Sequence, residues 1–242
     1  MVTDLIYNKY TGIFIFLVIV GVGLGLGLGL TNGGNIDGKG ETNTQNFRQN
    51  FEVTYYNTEG TNIQDGFSRY LEEAMTFWGD KLLEDTKIKL DVRATPLHNR
   101  TTLAYGSMND RNDIRAGGDI TINLNANAMS WTDVLKHEIG HVMGIGLAYT
   151  WSNAVIGADS VYYLSSSVFP ETYQIYQNDY NGVEYDIPLG DVSGHFDESI
   201  FTTELMTPYS NEGQRQPITD LTLSALSTLG WNIDMTKAEE KN

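Results

Sequence analysis

The pentapeptide His137-Glu138-Ile139-Gly140-His141 places the strongest demand on the fold, because its two histidines can serve one ion only if the segment is helical. Positions four apart on a helix lie one turn apart and about 40° round the axis. Both imidazoles then reach one point, with Glu138 beside them. The flanking pattern predicts such a helix from about Trp131, announced by Ser130 and Asp133, an Asp-containing variant of the capping box. Leu135, Ile139 and Val142 fall on the opposite side of that helix, so burying them aims the histidines into a cleft.

A hydrolytic zinc site needs three protein ligands and one open position. The chain has no cysteine and only four histidines, His98, His137, His141 and His195, so any metal must be held by imidazoles and carboxylates. His98 stands in a Pro-Leu-His-Asn context and reads as a solvated loop residue. The third ligand is therefore either His195, the only imidazole downstream, or a later carboxylate such as Glu171 or Glu198, as in thermolysin-like enzymes. With 31 acidic residues against 15 basic ones and a formal charge of −16, the chain cannot readily assemble the basic surface that nucleic acid requires.

Residues 12–30, GIFIFLVIVGVGLGLGLGL, form a 19-residue uncharged stretch that is long enough to cross a bilayer as a helix. The rival reading is a cleaved signal segment, but no small-residue cleavage pattern follows. The glycines do not make a dinucleotide loop, because G-x-G-x-x-G would need glycine where Leu26 stands. These features divide the chain into an anchor or signal segment (1–30), a flexible polar tether (31–45), a folded domain (46–236) and a polar tail (237–242). Within the domain, strands are expected at 51–57, 87–94, 102–107 and 119–125, the last alternating cleanly between an apolar and a polar face. A long amphipathic helix from Ile63 to Leu82 lies between the first and second of these strands, and a final helix ends at Leu229-Gly230. Residues 147–203 read as irregular, and their seven tyrosines between Tyr149 and Tyr185 read mainly as packing for an insertion.

Continuing through HEIGHVMGIG, Gly144 stands where metzincins place the glycine that ends the helix, while position 147, the usual third histidine, is Leu147. Downstream, Gly194-His195-Phe196 runs into Glu204-Leu205-Met206-Thr207. Together these segments resemble leishmanolysin-like metzincin zinc metallopeptidases, in which a long insertion separates the glycine from the third histidine. Trp78-Gly79-Asp80, Leu103-Ala104-Tyr105 and Leu229-Gly230-Trp231 extend the resemblance over roughly 47–232. It implies an α+β catalytic domain: a mixed twisted sheet, two long helices above a cleft, and an irregular C-terminal subdomain with a final helix. It also implies Zn²⁺ on His137, His141 and His195, Glu138 as general base, Met206 in a Met-turn beneath the metal, and Gly144 as structural support. Tyr209 matches the family's spacing poorly and is left out of the site.

The reaction so implied is endoproteolysis of a protein or peptide, with the 119–125 strand as the cleft edge to which an extended substrate adds. Membrane attachment through the N-terminal segment puts the catalytic domain outside the cytoplasm, or the protein is secreted if that segment is cleaved. Asn99-Arg100-Thr101 is a glycosylation sequon for a chain that passes through a eukaryotic secretory route. Without cysteine, latency by a pro-segment thiol is excluded. A membrane-tethered binding module with an inactive zinc site is the reading from outside the enzymes.

Overall fold

The computed structural model describes residues 13–15, 42–47, 50–57, 62–99, 101–128, 130–158, 161–190, 194–211 and 215–240. The strands are β1 (Ile13–Ile15), β2 (Thr42–Phe47), β3 (Phe51–Tyr56), β4 (Ile88–Thr95), β5 (Ala104–Met108), β6 (Gly118–Asn123), β7 (Val155–Ala158), β8 (Val161–Leu164), β9 (Ile187–Leu189) and β10 (Tyr209–Asn211). The helices are α1 (Ile63–Gly79), α2 (Trp131–Val142), α3 (Tyr149–Ala154), α4 (Pro170–Asp179), α5 (Glu198–Phe201) and α6 (Asp220–Leu229).

A five-stranded mixed sheet runs in the order β2-β3-β4-β6-β5. β3, β4 and β6 are parallel, and β2 and β5 pair antiparallel on the two outer sides. Strict alternation in β4 buries Ile88, Leu90, Val92 and Ala94 on one face, and Phe51, Val53 and Tyr55 of β3 join them. Against this core pack α1, through Leu71, Ala74, Met75 and Trp78, and α2, through Leu135, Ile139 and Val142. Trp78 also donates its Nε1 proton to Lys136 O at 2.8 Å, tying the two helices together. The architecture is thus a mixed α+β one with both long helices on the sheet's apolar side. α2 begins as its sequence implies, with Ser130 Oγ accepting the Asp133 N–H at 3.2 Å.

Three sequence-based expectations change. The 119–125 strand is not the edge: β6 is paired on both sides and β5 is the outer strand. Nor is its polar face solvated, since Thr121 and Asn123 are buried. Asn123 gathers a loop over that face, accepting from Leu97 N–H (2.9 Å) and donating to Asn99 O (2.8 Å) and Thr102 O (2.6 Å). The 147–203 region is not irregular either. It carries α3, α4, α5 and a β7-β8-β9 sheet around Trp151, Phe169, Tyr176, Phe196 and Phe201, all buried.

At the termini, β2 takes in Thr42–Gln45 of the expected tether through backbone pairing with β3. In the expected tail, Glu239 accepts the Ile218 N–H at 3.1 Å and pairs with Arg215 at 2.6 Å. Within the apolar stretch, β1 pairs with β10; residue 12 and residues 16–30 lie outside the described residues. Among the described residues no helix is long and apolar enough to cross a membrane.

Removing the Asn123 amide strands the Leu97 and Asn125 N–H groups and two carbonyls, each costing about 1–3 kcal/mol when buried and less where water reaches it. Asn123→Ala should lower the unfolding free energy by about 2–4 kcal/mol in chemical denaturation. Asn123→Asp should do no better, because it turns an acceptor towards two carbonyl oxygens.

Candidate metal centre

His137, Glu138 and His141 project from α2, and His195 arrives from the segment between β9 and α5. The three Nε2 atoms lie 3.0 Å (His137–His141), 3.1 Å (His137–His195) and 3.1 Å (His141–His195) apart. All three rings are buried. His137 Nδ1 is 2.7 Å from Leu205 O and His141 Nδ1 is 2.8 Å from Ile145 O. A carbonyl oxygen only accepts, so both Nδ1 atoms carry the proton and both Nε2 atoms present bare lone pairs. His195 can donate at most one Nε2 proton, to one neighbour. The three contacts therefore cannot all be hydrogen bonds, and a shared cation satisfies them at once. Tetrahedral coordination at about 2.0–2.1 Å sets ligand nitrogens about 3.3 Å apart, close to what is found.

Burial is the main cause holding His137 and His141 at pKa values of about 3 and about 4, and it takes His195 well below its ordinary value. All three are neutral near pH 7, the form a metal needs. Among the described residues they are the group of metal-binding side chains drawn together; Glu171 and His98 are exposed, and Glu198 is not in the cluster. Glu138 is fully buried beside them, and neither carboxylate oxygen makes a well-formed hydrogen bond, the Gly106 N–H of β5 being near enough only to act on its charge. Burial pushes its pKa up to about 8, with the Gly106 N–H of β5 pulling the other way.

The chain reaches this arrangement through close backbone approaches. α2 ends at Val142, and Gly144 follows at φ +113°, as a helix-ending glycine should. Two residues on, Gly146 (φ +76°) lies so close to Gly194 that a Cβ would sit 2.4 Å from Gly194 O. Arg111 steadies the turn by donating to Leu147 O (2.5 Å) and Ser152 Oγ (2.7 Å). Phe196, packed against Trp151 and Phe201, anchors the returning strand beside His195. Met206 is fully buried with its sulfur against Gly140: a Cβ there would lie 2.6 Å from Met206 Sδ and 3.3 Å from Trp78 Cζ2.

His137, Glu138, His141, His195, Gly144 and Met206 were all legible in the sequence. Gly140, Gly146, Arg111 and Glu204 were not. The one available signal was a glycine in mid-helix, where it costs about 1 kcal/mol relative to alanine and so needs a packing reason. No family model, curated protein or solved structure matches the chain.

Gly140→Ala sets a helix-propensity gain of about 1 kcal/mol against overpacking of about 1–3 kcal/mol. With Trp78 closing the other side, net destabilisation of about 1–2 kcal/mol is expected. In a double-mutant cycle with Met206→Ala the penalty should vanish, because the colliding sulfur is gone. The metal-free protein should also be acid-sensitive. Its unfolded chain takes up histidine protons near pH 6.5, whereas native His137 and His141 refuse them until about 4 and below. The contribution of these rings is then full above pH 6.5 and is lost as pH falls beneath it, by up to about 1.4 kcal/mol per pH unit for each ring, partly offset by Glu138, whose pKa of about 8 adds stability as pH falls from 8. Thermal melts of chelator-treated protein between pH 8 and 5 check this slope.

Proposed function

We propose that the protein is a zinc-dependent endopeptidase of the leishmanolysin-like metzincin type. The observation that carries this reading is the approach of three buried, neutral imidazole nitrogens to within 3.1 Å of one another, with an unpartnered buried glutamate next in sequence to one of them. Three nitrogen ligands, with no fourth His, Cys, Asp or Glu in the cluster among the described residues, is the donor set of a catalytic rather than a structural zinc.

A zinc ion held there would supply Lewis acidity to a carbonyl oxygen and lower the pKa of a water. Glu138 takes the proton from the attacking water as a new carbon–oxygen bond forms at the scissile carbonyl. It returns that proton to the amine nitrogen as the carbon–nitrogen bond breaks. Burial holds its pKa at about 8, and the charge of a zinc ion beside it would draw that value down and give the carboxylate form that the base role needs. β5 offers its outer edge for an extended peptide, whose backbone pairing would give affinity with little sequence preference. Gly106 of β5 lies directly against the Glu138 peptide, so a strand added there runs beside the base. The apolar 12–30 stretch is the basis for placing the catalytic domain at a membrane surface outside the cytoplasm.

The purified protein should bind one zinc, cleave casein, lose activity to a chelator and regain it with added zinc. Glu138→Gln should keep the metal and lose about 10²–10⁴-fold in kcat/KM. His195→Ala should lose stoichiometric zinc; if it keeps both zinc and activity, the three-histidine centre is wrong. A folded, zinc-loaded wild type that cleaves no member of a peptide library would instead make the chain a binding module.

A further inference from the structure

The turn formed by Glu204, Leu205, Met206 and Thr207 meets the metal centre at three points. Leu205 O takes the Nδ1 proton of His137 (2.7 Å), Met206 O accepts from the Phe196 N–H next to His195 (3.0 Å), and the Met206 sulfur packs on Gly140 between the α2 histidines. The turn is fastened in turn by a side chain with no part in the proposed chemistry. Glu204 is only 1% exposed. Its Oε1 accepts from Thr222 Oγ1 (2.7 Å) and Leu205 N–H (3.1 Å), and its Oε2 from Thr219 N–H (3.1 Å) and the Thr219 hydroxyl. Thr219 is the N-cap of α6 and Thr222 its third residue. A carboxylate from another segment thus fills the place that a capping box gives to the helix's own N3 glutamate. None of the ion pairs among the described residues involves Glu204; burial raises its pKa, and the bonds from Thr219, Thr222 and Leu205, with the positive end of the α6 dipole, act in the opposite sense. α6 is itself a fixed reference, with Ser224 Oγ bonded to Thr172 Oγ1 (3.0 Å) and Trp231 Nε1, just beyond its end, bonded to Met143 O (2.7 Å).

We infer that Glu204 is a positioning residue of the metal centre: by clamping the 204–207 turn to the start of α6, it fixes the carbonyl that sets the His137 tautomer and the peptide that seats His195. The inference rests on the metal-site reading above. Leu205 N–H also donates to Pro217 O (2.9 Å), so loss of Glu204 loosens the turn without abolishing it.

Two readouts on the full chain test this: imidazole ¹⁵N–¹H spectra of the metal-free protein, and titration with zinc alone. In the wild type, the Nδ1 protons of His137 and His141 should both be protected from exchange. Glu204→Ala should lose the His137 signal, keep that of His141, whose acceptor Ile145 O is untouched, and raise the zinc dissociation constant about 10–100-fold. Thr222→Val, which removes one hydroxyl and leaves the Leu205 bond, should keep the His137 signal and a zinc dissociation constant within about twofold of the wild type while melting at a lower temperature. A folded Glu204→Ala protein with both protons protected and wild-type zinc affinity overturns the inference. Should the alanine variant not fold, Glu204→Gln decides: in either amide orientation its NH₂ faces a backbone N–H, so the same changes are expected at smaller size, and wild-type values there overturn the inference equally. A wild type that binds no zinc defeats the metal reading, while the His137 proton still reports separately on the clamp.

Discussion

Three imidazole nitrogens at 3.0–3.1 Å from one another, buried and uncharged, are what the surrounding structure must hold in place. Without a cation their lone pairs repel. With one, the same distances become a ligand set. The surroundings supply two kinds of constraint. Carbonyl oxygens of Leu205 and Ile145 fix which nitrogen of His137 and His141 carries the proton. Packing fixes where the rings stand: Trp78 and Met206 bracket Gly140, and Phe196 sits in an aromatic cluster with Trp151 and Phe201. Metal affinity and fold stability draw on the same contacts.

His195 stands 54 residues beyond His141, and closing so long a connection costs about 3–4 kcal/mol in chain entropy if it is flexible. The intervening chain meets that cost by folding. β7, β8 and β9 form their own sheet, α4 packs on α6, and the aromatic side chains of the insertion make a continuous core with the main domain. Burying one large apolar side chain is worth about 1.5–3 kcal/mol, so Trp151 and Phe169, both fully buried, together offset the closure. The insertion's tyrosines divide by position: Tyr176 and Tyr180 pack against Phe201, while Tyr149 and Tyr185 face solvent.

Much of this was readable from local patterns. The alternation in residues 88–94, the apolar stripe of α1, the Ser130 cap and the Gly230 stop all depend on residues near one another in the chain; the strand, the cap and the stop appear at their expected places within a residue, and α1 ends at Gly79, three residues before the expected Leu82. What failed was non-local. Thr121 and Asn123 look solvated in an alternating strand, and only a loop folded over them makes them buried. The family resemblance made the 119–125 strand the edge, and nothing within one strand could correct it, because the strand order of a sheet leaves no mark there. Glu204 stood in the sequence only as the first residue of the turn carrying Met206, and its role there could not be read because its partners lie 15 and 18 positions away.

Local chemistry alone determined that an ion, if bound, would meet His137 and His141 on one helix face with Glu138 at hand, because helical periodicity leaves no other arrangement of those five residues. It also limited the donors to imidazole and carboxylate, because there is no thiol in the chain. Tertiary structure alone decided that His195, and not Glu171 or Glu198, joins the two helix histidines, that β5 is the outer strand beside Glu138, and that Glu204 reaches the start of a distant helix. Each of these depends on which segments pack side by side, and packing is settled by the burial of whole faces rather than by the spacing of residues along the chain.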